Sequence, residues 1–507
     1  MRRSLQRRQS NRLPVLVLLT GASALMMLIP AAVASVEDDD AIARVFFYSS
    51  LFIMMLTTFA AIATRAATQF QGAAATLLAA VAIYTFLPVI LAVPFSEAVR
   101  DTRFINAYFE MLSSLTTTGA TYYDADRLAP ALHLWRGMVG WLGGFISWVM
   151  AIAILAPLDL GGFEVSSEAR SGTETTVSTG EMRAAEPGLR VSRVMRDLLP
   201  IYAGLTAVLW FILILTGETP LVAAVHAMST LATSGISASD GDLGFVGSEI
   251  AVFVFLIFAL SRRSFLSGAG RELVTRLGKD REVRLAFFAV TLITSLMFLR
   301  HWLGALEVDE LGNPTAAMAA LWGNFFTTMS FLTTTGFVSG DWDSARIWSG
   351  LSTPGLVLVG LCLMGGGVAT TAGGIKLLRV YALYKHGQRE IEKLIHPHSV
   401  ASAGRLGRRM RREGAYIAWI FFMLFIISLA AMMVLFAATG LDFEQAMVLA
   451  IAALTTTGPL AVVGPAEAIV YAELSDLAKS ILSAAMILGR MELLVLIALV
   501  NPAFWRA

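Results

Sequence analysis

Apolar runs long enough to cross a bilayer recur along the whole chain, at residues 13 to 34, 43 to 64, 71 to 95, 131 to 157, 198 to 217, 245 to 261, 285 to 303, 353 to 375, 415 to 439 and 475 to 500. A hydrocarbon core about 30 Å thick takes roughly 20 residues of helix, so the pattern predicts ten spanning helices. The first run is longer than the apolar core of a signal peptide and reads as a span. Polar connections at 158 to 197 and 376 to 414 are only about forty residues each and read as loops, not as soluble domains.

Arginine and lysine placement gives an orientation, because positively charged loops resist translocation. Residues 1 to 12 carry five arginines, 262 to 284 seven basic residues and 376 to 412 ten, and an even number of spans separates these segments. Glu37, Asp38, Asp39 and Asp40 fall on the opposite side. Both termini are therefore expected in the cytoplasm, although Arg100, Arg103 and Arg127 then lie outside.

Setting the spans aside exposes a fourfold repeat in the segments between successive pairs. Residues 113 to 119 read SSLTTTG, 229 to 235 STLATSG, 330 to 336 SFLTTTG and 452 to 458 AALTTTG. Consecutive glycines are 116, 101 and 122 residues apart, room for an inner helix, an outer helix and a short re-entrant segment. The expected units are two extra N-terminal helices (1–70) and four pore repeats (71–157, 158–267, 268–380 and 381–507), the last three each opening with a cytoplasmic loop. The fold class is an all-α polytopic membrane protein with four pseudo-symmetric helix, pore loop, helix repeats around a central pore.

Composition narrows the class. Hydrophobic residues make up 56% of the chain and charged ones 15%, which excludes a soluble enzyme, a nucleic-acid binder and a disordered tail. Net charge is +1, and the single cysteine, Cys362, excludes an intrachain disulfide.

Polar backbone at membrane depth survives only where it lines a path, since lipid offers it no hydrogen bonds. Glycine lets successive carbonyls turn toward an axis, and threonine adds a hydroxyl beside them. The expected filter is Thr117, Thr118, Gly119, Thr233, Ser234, Gly235, Thr334, Thr335, Gly336, Thr456, Thr457 and Gly458. Neutral oxygens of this kind replace the hydration shell of a large monovalent cation, with potassium the natural guest and no cofactor bound covalently.

The preceding stretches, 106 to 115, 220 to 231, 320 to 332 and 442 to 454, read as half-helices aiming their negative ends at the filter, with Pro220 in a first turn and Asp442 as an N-cap. Glu110, His226 and Glu444 on them read first as structural. Asp124, Asp126, Asp240, Asp242, Asp341 and Asp343 stand five and seven residues beyond three of the glycines; the fourth repeat offers only Glu467. Two readings stand for them, turn residues or an outer acidic ring that gathers cations.

These motifs, with WRGMVGWLGGF after the first filter, ATTAGGIKLLRV in the third inner helix and LGRMELLVLIALVNPAFWR at the C-terminus, resemble the membrane subunit of the Trk/Ktr/HKT superfamily of potassium transporters, most closely the bacterial Trk type. The likeness spans nearly the whole chain. It implies potassium uptake across the bacterial cytoplasmic membrane, a homodimer of pores surrounded by membrane lipid, and a cytosolic RCK-type nucleotide-binding regulator, which the 158–197 loop is expected to touch by its position.

Glycines crowd residues 365 to 374, GGGVATTAGG, and each costs a helix interior about 1 kcal/mol. The third inner helix should break there, and Gly365, Gly366, Gly367, Thr370, Thr371, Gly373 and Gly374 are read as an intramembrane gate, the role that the resemblance also gives this loop; close helix packing is the alternative. Arg490, in the last span, costs roughly 2.5 kcal/mol or more unless it finds water or a partner. It is expected to line the pore below the filter beside that loop, against the alternative of a structural ion pair elsewhere. Gly137, Gly140, Gly143 and Gly144 read as packing positions.

Departures from the family pattern are Ala232 and Ser234 in the second filter, Pro459 after the fourth glycine, and Arg262 and Arg263 in the second inner helix. Enzymes are the rival class, but HExxH and a glycine-flanked catalytic serine are missing from the sequence. A sodium- or proton-coupled symporter or a less selective cation channel stays open as an alternative.

Overall fold

The computed structural model describes residues 14–64, 73–156, 187–239, 242–261, 277–278, 280–305, 314–349, 355–396 and 405–492. Arg262, Arg263, Asp240 and most of the 158–197 loop lie outside the described residues.

Two N-terminal spans precede the repeats. The first is interrupted at Met27 into Val15–Met26 and Leu28–Val36, three residues before Pro30, and the second is Asp40–Thr64. Each repeat then supplies an outer helix, a pore helix and an inner helix. The outer helices are Ala73–Val99, Pro187–Leu215, Arg281–Ala305 and Arg405–Ala437. The pore helices are Phe104–Leu115, Pro220–Ala232, Pro314–Leu332 and Phe443–Leu454, the third starting earlier than its sequence pattern suggests. Asp442 caps the fourth in a capping box with Gln445. Among the described residues the fold is all-helical apart from a two-residue parallel pairing of Asp242–Leu243 with Val338–Ser339, which joins the chain leaving the second and third of these pore helices.

Seven helices among the described residues are long and apolar enough to cross a membrane, against the ten expected. The shortfall lies in three inner helices, which leave α geometry partway. The second runs Val246–Leu256, tightens to a 3-10 turn at Ile257–Leu260 and ends at extended Ser261. The third stops at Met364 and resumes as Leu377–Ile395. Described as Asp476–Met491, the fourth ends at Glu492, whose φ is 58°.

Burial separates the layers. The first inner helix, Pro130–Met150 with a π-helical turn after it, is 83% buried over its span, whereas the N-terminal Asp40–Thr64 and the outer Gly414–Ala437 are 17% buried. The outward faces of the latter two carry large apolar residues such as Phe52, Phe59, Ile427 and Val434, as lipid contact requires. The first inner helix reaches the centre through its glycines: a side chain at Gly143 would run into the Leu115 carbonyl, and one at Gly144 would come within 2.8 Å of Ala232.

Candidate functional site: a ring of four filter segments beneath which a loop is latched

All four pore helices end in the same way. Just past each helix end, one residue on in the second repeat and two in the others, Thr117, Thr233, Thr334 or Thr456 takes a left-handed backbone with φ between 50° and 56°. Thr118, Ser234, Thr335 and Thr457 return their N–H groups to carbonyls five residues back, at 2.8 to 2.9 Å, completing a Schellman turn. Glycine ordinarily fills that left-handed position, and a β-branched residue there is strained by about 1–3 kcal/mol. Such strain persists only where the surroundings hold it, and it clusters at functional sites.

Hydroxyl roles divide cleanly along each segment. Thr116, Thr333 and Thr455 bond back to helix carbonyls and also share hydrogen bonds with the hydroxyls of Thr118, Thr335 and Thr457 at 2.8, 3.0 and 3.3 Å. In the second repeat Ala232 has no hydroxyl, and Ser234 Oγ donates to Ser229 Oγ instead at 3.0 Å. The left-handed threonines differ: Thr117, Thr233 and Thr456 keep buried hydroxyls that bond to nothing among the described residues. An orphaned buried hydroxyl costs about 1–3 kcal/mol, so three in equivalent positions call for a ligand or water.

The segments close on one another in sequence order. A side chain at Gly119 would strike the Ser234 carbonyl, one at Gly235 the Thr335 carbonyl, one at Gly336 the Pro459 ring at 2.8 Å, and one at Gly458 the backbone of Gly119 and Ala120. Pro459 also reaches to within 2.9 Å of the Gly235 position, on the opposite segment. Fourfold symmetry is incomplete at the glycine level. Gly119, Gly235 and Gly336 have positive φ and Gly458 does not; its N–H donates to the Thr118 carbonyl at 2.5 Å, and its own carbonyl accepts from the Tyr471 hydroxyl at 2.8 Å.

Side chains behind the ring hold the chain as it leaves. Glu110 accepts from the Tyr122 N–H at 2.8 Å and pairs with Arg136 at 2.6 Å, both residues almost fully buried. His226 contacts Glu218 at 3.0 Å and Ser237 at 2.9 Å, and Glu444 accepts from the Ala466 N–H. Each of the three is thus engaged with neighbouring protein groups. Glu249, which sequence reasoning missed, accepts from Trp322, Ser339 and Gly340 and ties the second inner helix to the third filter's exit. A lone carboxylate opening an otherwise apolar helix is the signal that could have found it. Outside the spans, burial pushes the Tyr123 phenol up to about 12, its hydrogen bond with Thr102 opposing.

The acidic residues lie farther out. Asp124 and Asp126 are exposed around a 3-10 turn, Asp341 is half-buried, and Asp343 opens the short helix Trp342–Ser349 and pairs with exposed Arg346. Asp242 is placed by its backbone pairing with Val338. No hydrogen bond joins these carboxylates to one another among the described residues.

The break in the third inner helix is where the glycines put it. Gly365 and Gly374 take φ of 70° and 78°, and the buried loop between them presses on the inner end of the ring. The Gly373 N–H donates to Thr334 Oγ1 at 2.7 Å, and a side chain at Gly373 would collide with the Thr455 carbonyl. Gly366 and Gly367 press on Ala372 and on the Leu260 carbonyl respectively. Thr370 bonds within the loop to the Gly367 carbonyl, and Thr371 offers its carbonyl to Arg490 Nη1 at 2.5 Å while Arg490 Nε donates to Ser147 at 2.6 Å. Arg490, Lys376, Glu492 and the loop together line a cavity of about 50 Å³ on this side of the ring. Lys376, also missed from sequence, is buried with its ammonium on the Ala372 carbonyl.

A chain with 32% identity to the Trk system potassium uptake protein TrkH of Salmonella typhimurium over 441 residues, 85% of each, shares more than a fold. The chain belongs to the TrkH family of cation transport proteins. Its residues 271–505 match the TrkH family model, described as a cation transport protein. The Halomonas elongata protein TrkI is 31% identical over 85% of this chain and 83% of its own. The crystal structure of the potassium transporter TrkH from Vibrio parahaemolyticus superposes with a TM-score of 0.79 at 26% identity, covering 97% and 98% of the two chains. As a TrkH-family member the chain is a multi-pass membrane transporter and not an enzyme.

Proposed function

We propose that this chain takes up potassium across the bacterial inner membrane, with both termini cytoplasmic, through the filter formed by Thr117, Thr118, Gly119, Thr233, Ser234, Gly235, Thr334, Thr335, Gly336, Thr456, Thr457 and Gly458. The observation that carries this reading is the set of equivalent buried hydroxyls on Thr117, Thr233 and Thr456 left without partners among the described residues in a closed ring of backbone oxygens. A dehydrated monovalent cation satisfies such oxygens without a carboxylate. The Trk names of the relatives support potassium as the ion.

The loop holding Gly365, Gly366, Gly367, Thr370, Thr371, Gly373 and Gly374 is the gate, and Arg490 holds it under the filter while placing a positive charge in the path. Asp124, Asp126, Asp240, Asp242, Asp341 and Asp343 supply negative charge at the outer mouth. The assembly is a homodimer regulated by a cytosolic RCK-type nucleotide-binding subunit.

Growth of a potassium-uptake-deficient bacterium on limiting potassium tests the reading. The unaltered chain is expected to rescue growth and Gly336→Ser to abolish rescue, since a side chain there meets the Pro459 ring at a φ of 87°. Rescue by both, with equal expression, would overturn the filter.

A further inference from the structure

Two consecutive peptide groups of the loop are gripped from outside it. The Gly367 N–H donates to the Ala259 carbonyl at 3.2 Å and the Val368 N–H to Glu282 Oε1 at 2.8 Å. Ala259 closes the second inner helix and Glu282 lies in the first turn of the third outer helix. The two holders are themselves fastened: the Ser261 hydroxyl donates to Asp280 Oδ2 at 2.7 Å, and Asp280 Oδ1 accepts from the Glu282 N–H at 3.0 Å. Glu282 is only 6% exposed. Burying a carboxylate is costly unless it is bonded, and a backbone N–H at this depth must likewise be bonded, so each satisfies the other.

We propose that Glu282 is a positioning residue that holds the intramembrane loop against the filter, with the Ser261–Asp280 bond keeping it in register with Ala259. This rests on the reading of the loop as a gate. Loop withdrawal has to break the Val368–Glu282 and Gly367–Ala259 bonds as well as those to Thr334 and Arg490. Glu282 acts through the loop, since its carboxylate accepts from the loop backbone.

Full-length protein in lipid vesicles, with Cys362→Ala and a single reporter Thr370→Cys, is treated with a charged membrane-impermeant thiol reagent, and rubidium flux is measured in parallel. Adding Glu282→Ala is expected to speed labelling roughly tenfold, the scale of losing a hydrogen bond to a charged acceptor, and to raise flux. Glu282→Gln keeps an acceptor oxygen and is expected to restore most of the protection. Ser261→Ala, which leaves the carboxylate in place, is expected to speed labelling less, and it carries the test if Glu282→Ala does not fold. Labelling as slow in Glu282→Ala or, failing that, in Ser261→Ala as in the parent would overturn the proposal, as would Glu282→Gln labelling as fast as Glu282→Ala. Unaltered protein that carries no rubidium would sink the transport reading while the labelling comparison still judges Glu282.

Discussion

Gly373 donates its peptide N–H to the hydroxyl of Thr334 at 2.7 Å, so the left-handed threonine whose hydroxyl bonds to nothing among the described residues in the other three segments is, in the third, the seat of the intramembrane loop. Filter and loop thus share one atom. Thr334→Val removes the acceptor and keeps the shape. Losing a net hydrogen bond of about 1 kcal/mol is expected to raise basal rubidium flux by roughly fivefold. Thr117→Val and Thr456→Val, which touch no loop donor, are expected to lower potassium preference over sodium without that rise, as measured by competing ion fluxes.

Arg490 holds both the Thr371 carbonyl and Ser147. Arg490→Ala is expected to free the loop and remove a barrier charge, raising flux about tenfold or more by the loss of two charge-assisted bonds. Arg490→Lys, a point charge unable to make both bonds at once, is expected to fall between. Flux, closure and expression all unchanged in Arg490→Ala would exclude the role.

The Glu110–Arg136 pair predicts a stability asymmetry. Glu110→Gln leaves a buried guanidinium short of its counter-charge and is expected to destabilise by about 3–5 kcal/mol, whereas Glu110→Leu combined with Arg136→Met is expected to cost far less. Thermal unfolding of the purified protein in detergent checks both, with the loss of the Tyr122 bond as a residual cost of the double variant alone.

Glycines in helices should divide by what surrounds them. Gly143→Ala drives a methyl into the Leu115 carbonyl beside the first filter, and an overpacked core position costs about 1–3 kcal/mol. Gly204→Ala, in the second outer helix with open space around it, is expected to stabilise by about 0.5–1 kcal/mol through helix propensity alone. Melting temperatures moving in opposite directions are the expected result.

The repeat was legible because LTTTG and its variants recur at fixed offsets and because glycine and threonine in an apolar setting have few other uses. The loop at 365–374 and its contact with Arg490 were legible for the same reason: five glycines break a helix, and a buried arginine must find acceptors. Hydropathy marks where apolar segments lie and not their geometry, so it cannot register that the second inner helix tightens after Leu256 or that the chain turns at Glu492. Glu282 and Lys376 were illegible because each borders a basic connection, where a charge reads as solvated; their burial comes from the loop folding back over them. The split between bonded and unbonded threonine hydroxyls depends on which residue takes the left-handed turn, and that is a tertiary choice that the three-threonine run leaves open.

The loop is clasped at its neck. Ile375 and Lys376 return their N–H groups to the carbonyls of Leu363 and Met364, and Leu377 to that of Gly366, each at 3.0 Å. With the neck stapled, eight residues hang from a fixed frame, and on the proposed reading of them as a gate, traffic would be switched without tilting either flanking rod or rearranging neighbouring lipids.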